Sequence, residues 1–218
     1  MLLLKSFLSG ELNISGNNIY NKFLRYDELL LEWNKKVNLI SRKMTSIESN
    51  VLTSIFFLKK FDIKKYLRII DIGTGGGFPG VPLAIMFPEI KFILVDSVKK
   101  KINTLSDIIN KTGIKNAECI CGRAEEVSKM KNHFHKYDIV VSKSVSTLFN
   151  LFDWGKYFIN KNGLMLCIKG GDLKKELSDL RKVKNIQIEV LNFDFETHYH
   201  IEDKKLVIIK PLNLDLRK

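Results

Sequence analysis

The chain has 218 residues, 45% hydrophobic and 28% charged, which suits one full domain with an extension, at about 150 residues per domain, and excludes a disordered chain. The 36 Lys and Arg against 24 Asp and Glu give a net charge of +12, a balance that favours a polyanionic partner, nucleic acid first, although plain solvated surface also explains many of the lysines. The longest apolar runs, such as 164–168, are far short of the roughly 18 residues of a membrane span, Met1–Leu4 is broken by Lys5 with no secretory cleavage pattern, and 3 Cys make no disulfide framework, so a cytoplasmic, reducing compartment is expected.

Residues 1–62 read as a helical extension. Ile19, Tyr20, Phe23, Leu24, Leu30, Leu31, Trp33 and Val37 recur at helical spacing. Thr45-Ser46-Ile47-Glu48 has the form of a capping box opening a further helix through Val51, Leu52, Ile55, Phe56 and Leu58. From residue 63 to 218 the pattern changes. Short β-branched runs at 67–72, 92–95, 118–121, 137–141 and 164–168 alternate with helical stretches at 81–87, 98–111 (stopped by Gly113), 147–158 and 173–181. Such alternation predicts an α/β fold with a Rossmann-like, doubly wound parallel sheet. Two strands with no helix between them, 186–193 and 205–209, predict a hairpin-like finish with one antiparallel strand near the C-terminus. A nucleotide-type site is expected at the carboxyl ends of the central strands.

Asp71-Ile72-Gly73-Thr74-Gly75-Gly76-Gly77-Phe78-Pro79-Gly80 lies between the first strong strand and a helix. Glycines there let the backbone turn sharply and approach a ligand. Gly75, Gly77 and Gly80 match the dinucleotide fingerprint, which alone is weak. Asp71, just before the glycines, is placed for the ammonium of a methionine group and would repel a pyrophosphate, and Pro79 removes an N–H that a phosphate would use. Both favour an adenosyl-methionine ligand. Asp96, about 20 residues on at the end of the second strand, is placed for ribose hydroxyls or, failing that, as a helix N-cap. Arg123-Ala124-Glu125-Glu126 follows the third strand, where an adenine edge would lie. Lys143 ends the fourth, where it could balance the donor carboxylate or hold a phosphate.

His133-x-His135 and His198-x-His200 lack a completing ligand set, so no metal site is expected. The motifs of serine hydrolases, P-loop enzymes and zincins are absent. Basic clusters at Lys35-Lys36, Arg42-Lys43, Lys99-Lys100-Lys101, and Lys169 with Lys174-Lys175 could meet RNA phosphates, with Trp33 beside the first of them, although its spacing also fits a core residue.

The chain resembles the small-subunit ribosomal RNA guanine-N7 methyltransferases, the family called RsmG or glucose-inhibited division protein B. The resemblance rests on Glu32-Trp33-Asn34-Lys35-Lys36-Val37-Asn38-Leu39-Ile40-Ser41, on Asp71 to Gly80 ending Phe78-Pro79-Gly80, on Val95-Asp96-Ser97 with Lys100 and Lys101, on Arg123-Ala124-Glu125, and on 205–210. It implies a class I methyltransferase sheet with a helical extension, binding S-adenosyl-methionine and methylating N7 of one guanine in small-subunit (16S) ribosomal RNA, free or in a partly assembled subunit. Gly73 and Phe78 would then line the donor site and Ala124-Glu125 would meet the adenine. Two departures stand out. Lys143 replaces the family's usual Arg, losing its planar fork while keeping its charge, and Asn50 and Thr53-Ser54 replace a His and an Asp-Ser pair.

The resulting expectation is a monomeric enzyme with cofactor contacts at Asp71, Gly73, Gly75, Phe78, Asp96, Ala124, Glu125 and Lys143. RNA contacts are expected at Trp33, Lys35, Lys36, Arg42, Lys100 and Lys101. No catalytic acid or base is expected, with Lys143 the one candidate for a direct part in turnover. Two alternatives are an NAD-dependent oxidoreductase, from the glycine spacing, and a non-catalytic RNA-binding protein derived from a methyltransferase.

Overall fold

The computed structural model describes residues 1–195, 197–201 and 203–212. Its centre is a sheet of seven strands: β1 (Arg68–Ile72), β2 (Lys91–Asp96), β3 (Ala117–Cys121), β4 (Tyr137–Lys143), β5 (Ile159–Gly170), β6 (Ile186–Asn192) and β7 (Lys204–Pro211). Their order is β3-β2-β1-β4-β5-β7-β6. The first five strands pair in parallel, and β7 runs antiparallel to both β5 and β6. The expected doubly wound sheet with its antiparallel C-terminal strand is what the chain forms. Residues 69–72 of β1 are all buried, as a strand covered on both faces must be.

One face is covered by α1 (Leu2–Gly10), α2 (Asn17–Asn34), α3 (Glu48–Ile55), α4 (Gly80–Met86) and α5 (Lys99–Thr112), the other by α6 (Ala124–Val127), α7 (Leu148–Gly155) and α8 (Lys174–Leu180). Gly113 ends α5 in the left-handed conformation, φ 74°, as its position predicts. Helix α7 stops at Gly155, earlier than the expected 158, because β5 starts at Ile159, earlier than the apolar run suggests.

The helical extension shares its core with the sheet. Phe7, Phe23, Tyr26, Leu30 and Leu52 belong to the same buried cluster as Leu83, Leu94 and Leu105. The capping box expected at 45–48 does not form. Ile47 N–H donates instead to Asp27 Oδ1 (2.7 Å), and Glu48 Oε1 accepts from Leu4 N–H (2.9 Å) at the start of α1. Long-range partners thus take Ile47 N–H and the Glu48 carboxylate, and Glu48 N–H donates to Ser46 Oγ (3.1 Å) in place of Thr45. No helix among the described residues is long and apolar enough to cross a membrane.

The extension is also tied to the far end of the chain by aromatic packing. Phe56, fully buried in the 3-10 turn after α3, meets Phe193 edge-on at 4.9 Å, and Phe7 meets Tyr199 at 5.1 Å. Phe56→Ala is expected to cost about 3–5 kcal/mol of stability, read as a lower urea midpoint with an unchanged slope.

Candidate functional site

A cleft of about 780 Å³ opens over the carboxyl ends of β1–β5, where strand order reverses between β1 and β4 and a ligand crevice is expected. Successive strands deliver Gly73–Gly76, Asp96, Gly122–Glu125 and Lys143 to it. With strands about 4.8 Å apart, β3 to β4 spans about 14 Å, room for an extended nucleoside-like ligand.

The glycine turn is fixed from beneath. Gly73 and Thr74 N–H groups donate to Val95 C=O (2.8 and 3.0 Å), joining the turn to the end of β2. Asp71 is fully buried, and its Oδ2 accepts from the Thr74 hydroxyl (2.7 Å) and Gly80 N–H (2.9 Å), while Oδ1 is buried without a hydrogen-bond partner. Burial outweighs these bonds and pushes its carboxyl up to about 7. Asp71 therefore does not line the cleft as the ammonium reading required; it sits under the turn at the amino end of α4. Gly73 (φ 73°) and Gly75 (φ 55°) hold backbone that side chains rarely adopt. A Cβ on Gly75 would meet open space, so bare backbone faces the cleft there, whereas one on Gly73 would lie 2.7 Å from the Val145 methyls.

Asp96 is not the N-cap of α5, a position that Val98 takes without a side-chain bond; it stands two residues ahead of it. Oδ2 accepts from Gly75 N–H (3.0 Å) and Oδ1 from Val98 N–H (2.9 Å), ahead of α5, and the half-buried carboxylate lines the cleft. Ala124 and Glu125 line it from the start of α6, and Phe78 from the glycine turn.

Lys143 reaches across to α3. Its Nζ donates to Asn50 C=O (3.1 Å) and Thr53 Oγ1 (3.3 Å) and stands 4.7 Å from the Phe78 ring centre. The two departures from the family pattern are thus in contact with each other. Desolvation lowers the Lys143 ammonium to about 7, against the attraction of Asp71.

The extension supplies a wall of the cleft: Leu39, Ile40, Ser41, Met44, Asn50 and Thr53 all line it. Tyr26 OH donates to Gly76 C=O (2.5 Å) in the core. Val145 and Lys204 complete the rim. Tyr26, Met44, Val145 and Lys204 carry no local signal, because what they meet is distant in sequence, whereas Leu39-Ile40-Ser41 lie in a segment that carries the family resemblance and Asn50 and Thr53 are departures from it.

Of the basic residues, Lys101 lines the cleft, and Lys35, Lys36, Arg42 and Lys100 are exposed near it, with Lys100 Nζ 3.5 Å from Lys36 C=O. Trp33 is half-buried; its indole N–H donates to Asp107 (3.0 Å), pinning α2 to α5, and Lys36 Nζ lies 5.5 Å from its ring. Lys169, grouped by sequence with the basic clusters, is buried and paired with Glu176 at 2.8 Å.

His133 and His135 bond Tyr137 OH and Ile159 C=O respectively. Among the described residues no group of His, Cys, Asp and Glu is arranged to hold a metal ion.

A family model for rRNA small subunit methyltransferase G matches residues 19–206. The Ribosomal RNA small subunit methyltransferase G of Clostridium novyi (strain NT) is 38% identical over 213 residues, covering 92% of this chain and 88% of that one. The protein so named in Clostridium botulinum (strain Loch Maree / Type A3) is 38% identical over 210 residues, covering 92% and 86%. Among solved structures, Aeropyrum pernix fibrillarin in complex with natively bound S-adenosyl-L-methionine has a TM-score of 0.53 at 15% identity, over 74% of this chain and 76% of that one, a likeness of fold. The chain belongs to the rRNA small subunit methyltransferase G family.

Proposed function

We propose that the chain transfers a methyl group from S-adenosyl-methionine to N7 of a guanine in small-subunit ribosomal RNA, acting as a cytoplasmic monomer on free RNA or a partly assembled subunit. The observation that carries the choice of cofactor is the buried Asp71 carboxylate at the amino end of α4. Its bond from Gly80 N–H, together with the bond of Val81 N–H to Gly77 C=O, occupies the groups a pyrophosphate would need and sets a carboxylate in its place. A dinucleotide therefore fits poorly, and the oxidoreductase alternative finds no support.

The donor set matches the adenosyl group instead. Asp96, with an acceptor facing the cleft, would take the ribose hydroxyls, and Ala124-Glu125 would meet the adenine. Gly73, Gly75 and Phe78 would hold the amino-acid end, with Lys143 beside its carboxylate. When bound, S-adenosyl-methionine supplies an electrophilic methyl group on a positively charged sulfur.

Guanine N7 carries an exposed lone pair and no proton, so no general base is needed. The chain's own task is to orient the base, a contribution worth roughly 7–11 kcal/mol in well-aligned systems. Lys101 and Lys204, which line the cleft, and the exposed Arg42 next to Ser41 would offer charge for RNA phosphates, which makes binding fall with salt.

The direct test is chemical. Borohydride reduction and aniline cleavage of small-subunit RNA, after incubation with the chain and donor, should yield one new cut at a guanine. No cut in either free RNA or subunits would overturn the assignment and favour a non-catalytic RNA-binding protein. Asp96→Ala should raise the dissociation constant for S-adenosyl-homocysteine by on the order of tenfold to a hundredfold, measured by calorimetry.

The pH dependence has a definite sign. Lys143, lowered to about 7, is charged below that pH and neutral above it. The kcat/KM for S-adenosyl-methionine, which reports the enzyme free of donor, should therefore fall as pH rises through about 7, the reverse of the rising limb that a general base would give. Lys143→Arg, charged throughout, should flatten that limb; a limb unchanged in the variant assigns it to another group.

A further inference from the structure

We propose that Asn34 is a positioning residue for the glycine turn that holds the cofactor, acting through the 37–41 segment that its side chain clamps against Gly76. The inference rests on the adenosyl-methionine reading above and goes beyond it in assigning a buried residue of the helical extension to the cofactor site.

Asn34 is the last residue of α2 and is buried. Its Oδ1 accepts from two consecutive backbone groups, Leu39 N–H (2.9 Å) and Ile40 N–H (3.0 Å). The chain after α2 is neither helix nor strand, so these donors have no ladder to join; Leu39 N–H is shared between Asn34 and Val37 C=O (2.8 Å), and Ile40 N–H goes to the Asn34 amide oxygen. The bonds set how closely the segment approaches the glycine turn. A Cβ on Gly76 would lie 3.3 Å from both Leu39 C=O and Ile40 Cγ2, which means the backbones are already in contact. Leu39 and Ile40 also line the cleft itself.

The same residue is also held directly from α2. Tyr26 OH donates to Gly76 C=O at 2.5 Å in the buried core. Tyr26 and Asn34 both sit on α2, so one rigid helix fixes the turn twice, once through a phenol and once through the clamped segment. Gly75, the neighbouring residue, is the one that Asp96 holds and that presents bare backbone to the cleft. Loss of the Asn34 acceptor strands Ile40 N–H, leaves Leu39 N–H only its local bond to Val37 C=O, and unties the segment from the end of α2, freeing it to leave Gly76. Cofactor affinity should then fall without any change in a residue that touches the cofactor.

The test compares Asn34→Ala, Asn34→Asp and Tyr26→Phe in the full chain, by calorimetry with S-adenosyl-homocysteine and no RNA, alongside thermal unfolding. Asn34→Ala should weaken binding on the order of tenfold, whereas Asn34→Asp, which keeps an acceptor in place, should stay within about threefold of wild type. In methyl-transfer assays the donor KM should rise while kcat at saturating donor holds. A purely structural role would lower the melting temperature and leave the affinity of the folded protein unchanged, and that result overturns the proposal. Equal impairment of the Ala and Asp variants overturns it as well. Should Asn34→Ala fail to fold, Tyr26→Phe decides: weakened binding upholds the clamp, and unchanged binding overturns it. A wild-type chain that binds no S-adenosyl-homocysteine would overturn the functional reading and this inference together, whereas a binding wild type with an unaffected Asn34→Ala sinks this inference alone.

Discussion

A carboxylate removed from water beneath a glycine turn is the constraint from which the rest of the cleft follows. Asp71 has its Oδ2 committed to Thr74 and Gly80, and its other oxygen has no partner. Such a group is costly to bury, and burial shifts it toward protonation. In return it fixes both the entry to the turn and the start of α4 with one side chain. It also sets the character of the ligand, because an anion at that helix start would face another acid. Fingerprint glycines alone do not distinguish a pyrophosphate from a sulfonium amino acid; the residue under them does.

Much of this was legible in the sequence where the signal was local. The β1–turn–α4 unit, Asp96 at the end of β2 and Gly113 closing α5 each follow from residue type and short spacing. The direction in which Asp71 points was legible too, though less obviously. Alternation along β1 puts Ile69 in the cluster beneath α4 and α5 and puts Ile70 and Ile72 in the opposite one. Asp71 therefore shares the face of Ile69 and turns under α4, away from the cleft.

Local signals failed where distant groups outcompeted them. Thr45 to Glu48 has the letters of a cap, but Asp27 and the start of α1 offered partners of their own. Tyr26 lies 50 residues from the carbonyl it holds, and no pattern within α2 announces that pairing. The extension accordingly looked like an appendage for RNA, yet it forms a wall of the cleft. Lys143 shows the same limit: its type suggested a contact for an anion, and only the fold reveals that it already rests on Asn50 and Thr53.

The segment from Asn34 to Ile40 has two sides with different owners. Its inner side presses on Gly76 and its outer side carries the exposed Lys35 and Lys36. A polynucleotide held by those lysines would bear on the same few peptides that shape the donor pocket. Thermodynamic reciprocity then requires each ligand to alter the hold on the other by an equal factor. Whatever the size of that factor, it would be carried by seven residues, 34–40, that answer to both ligands.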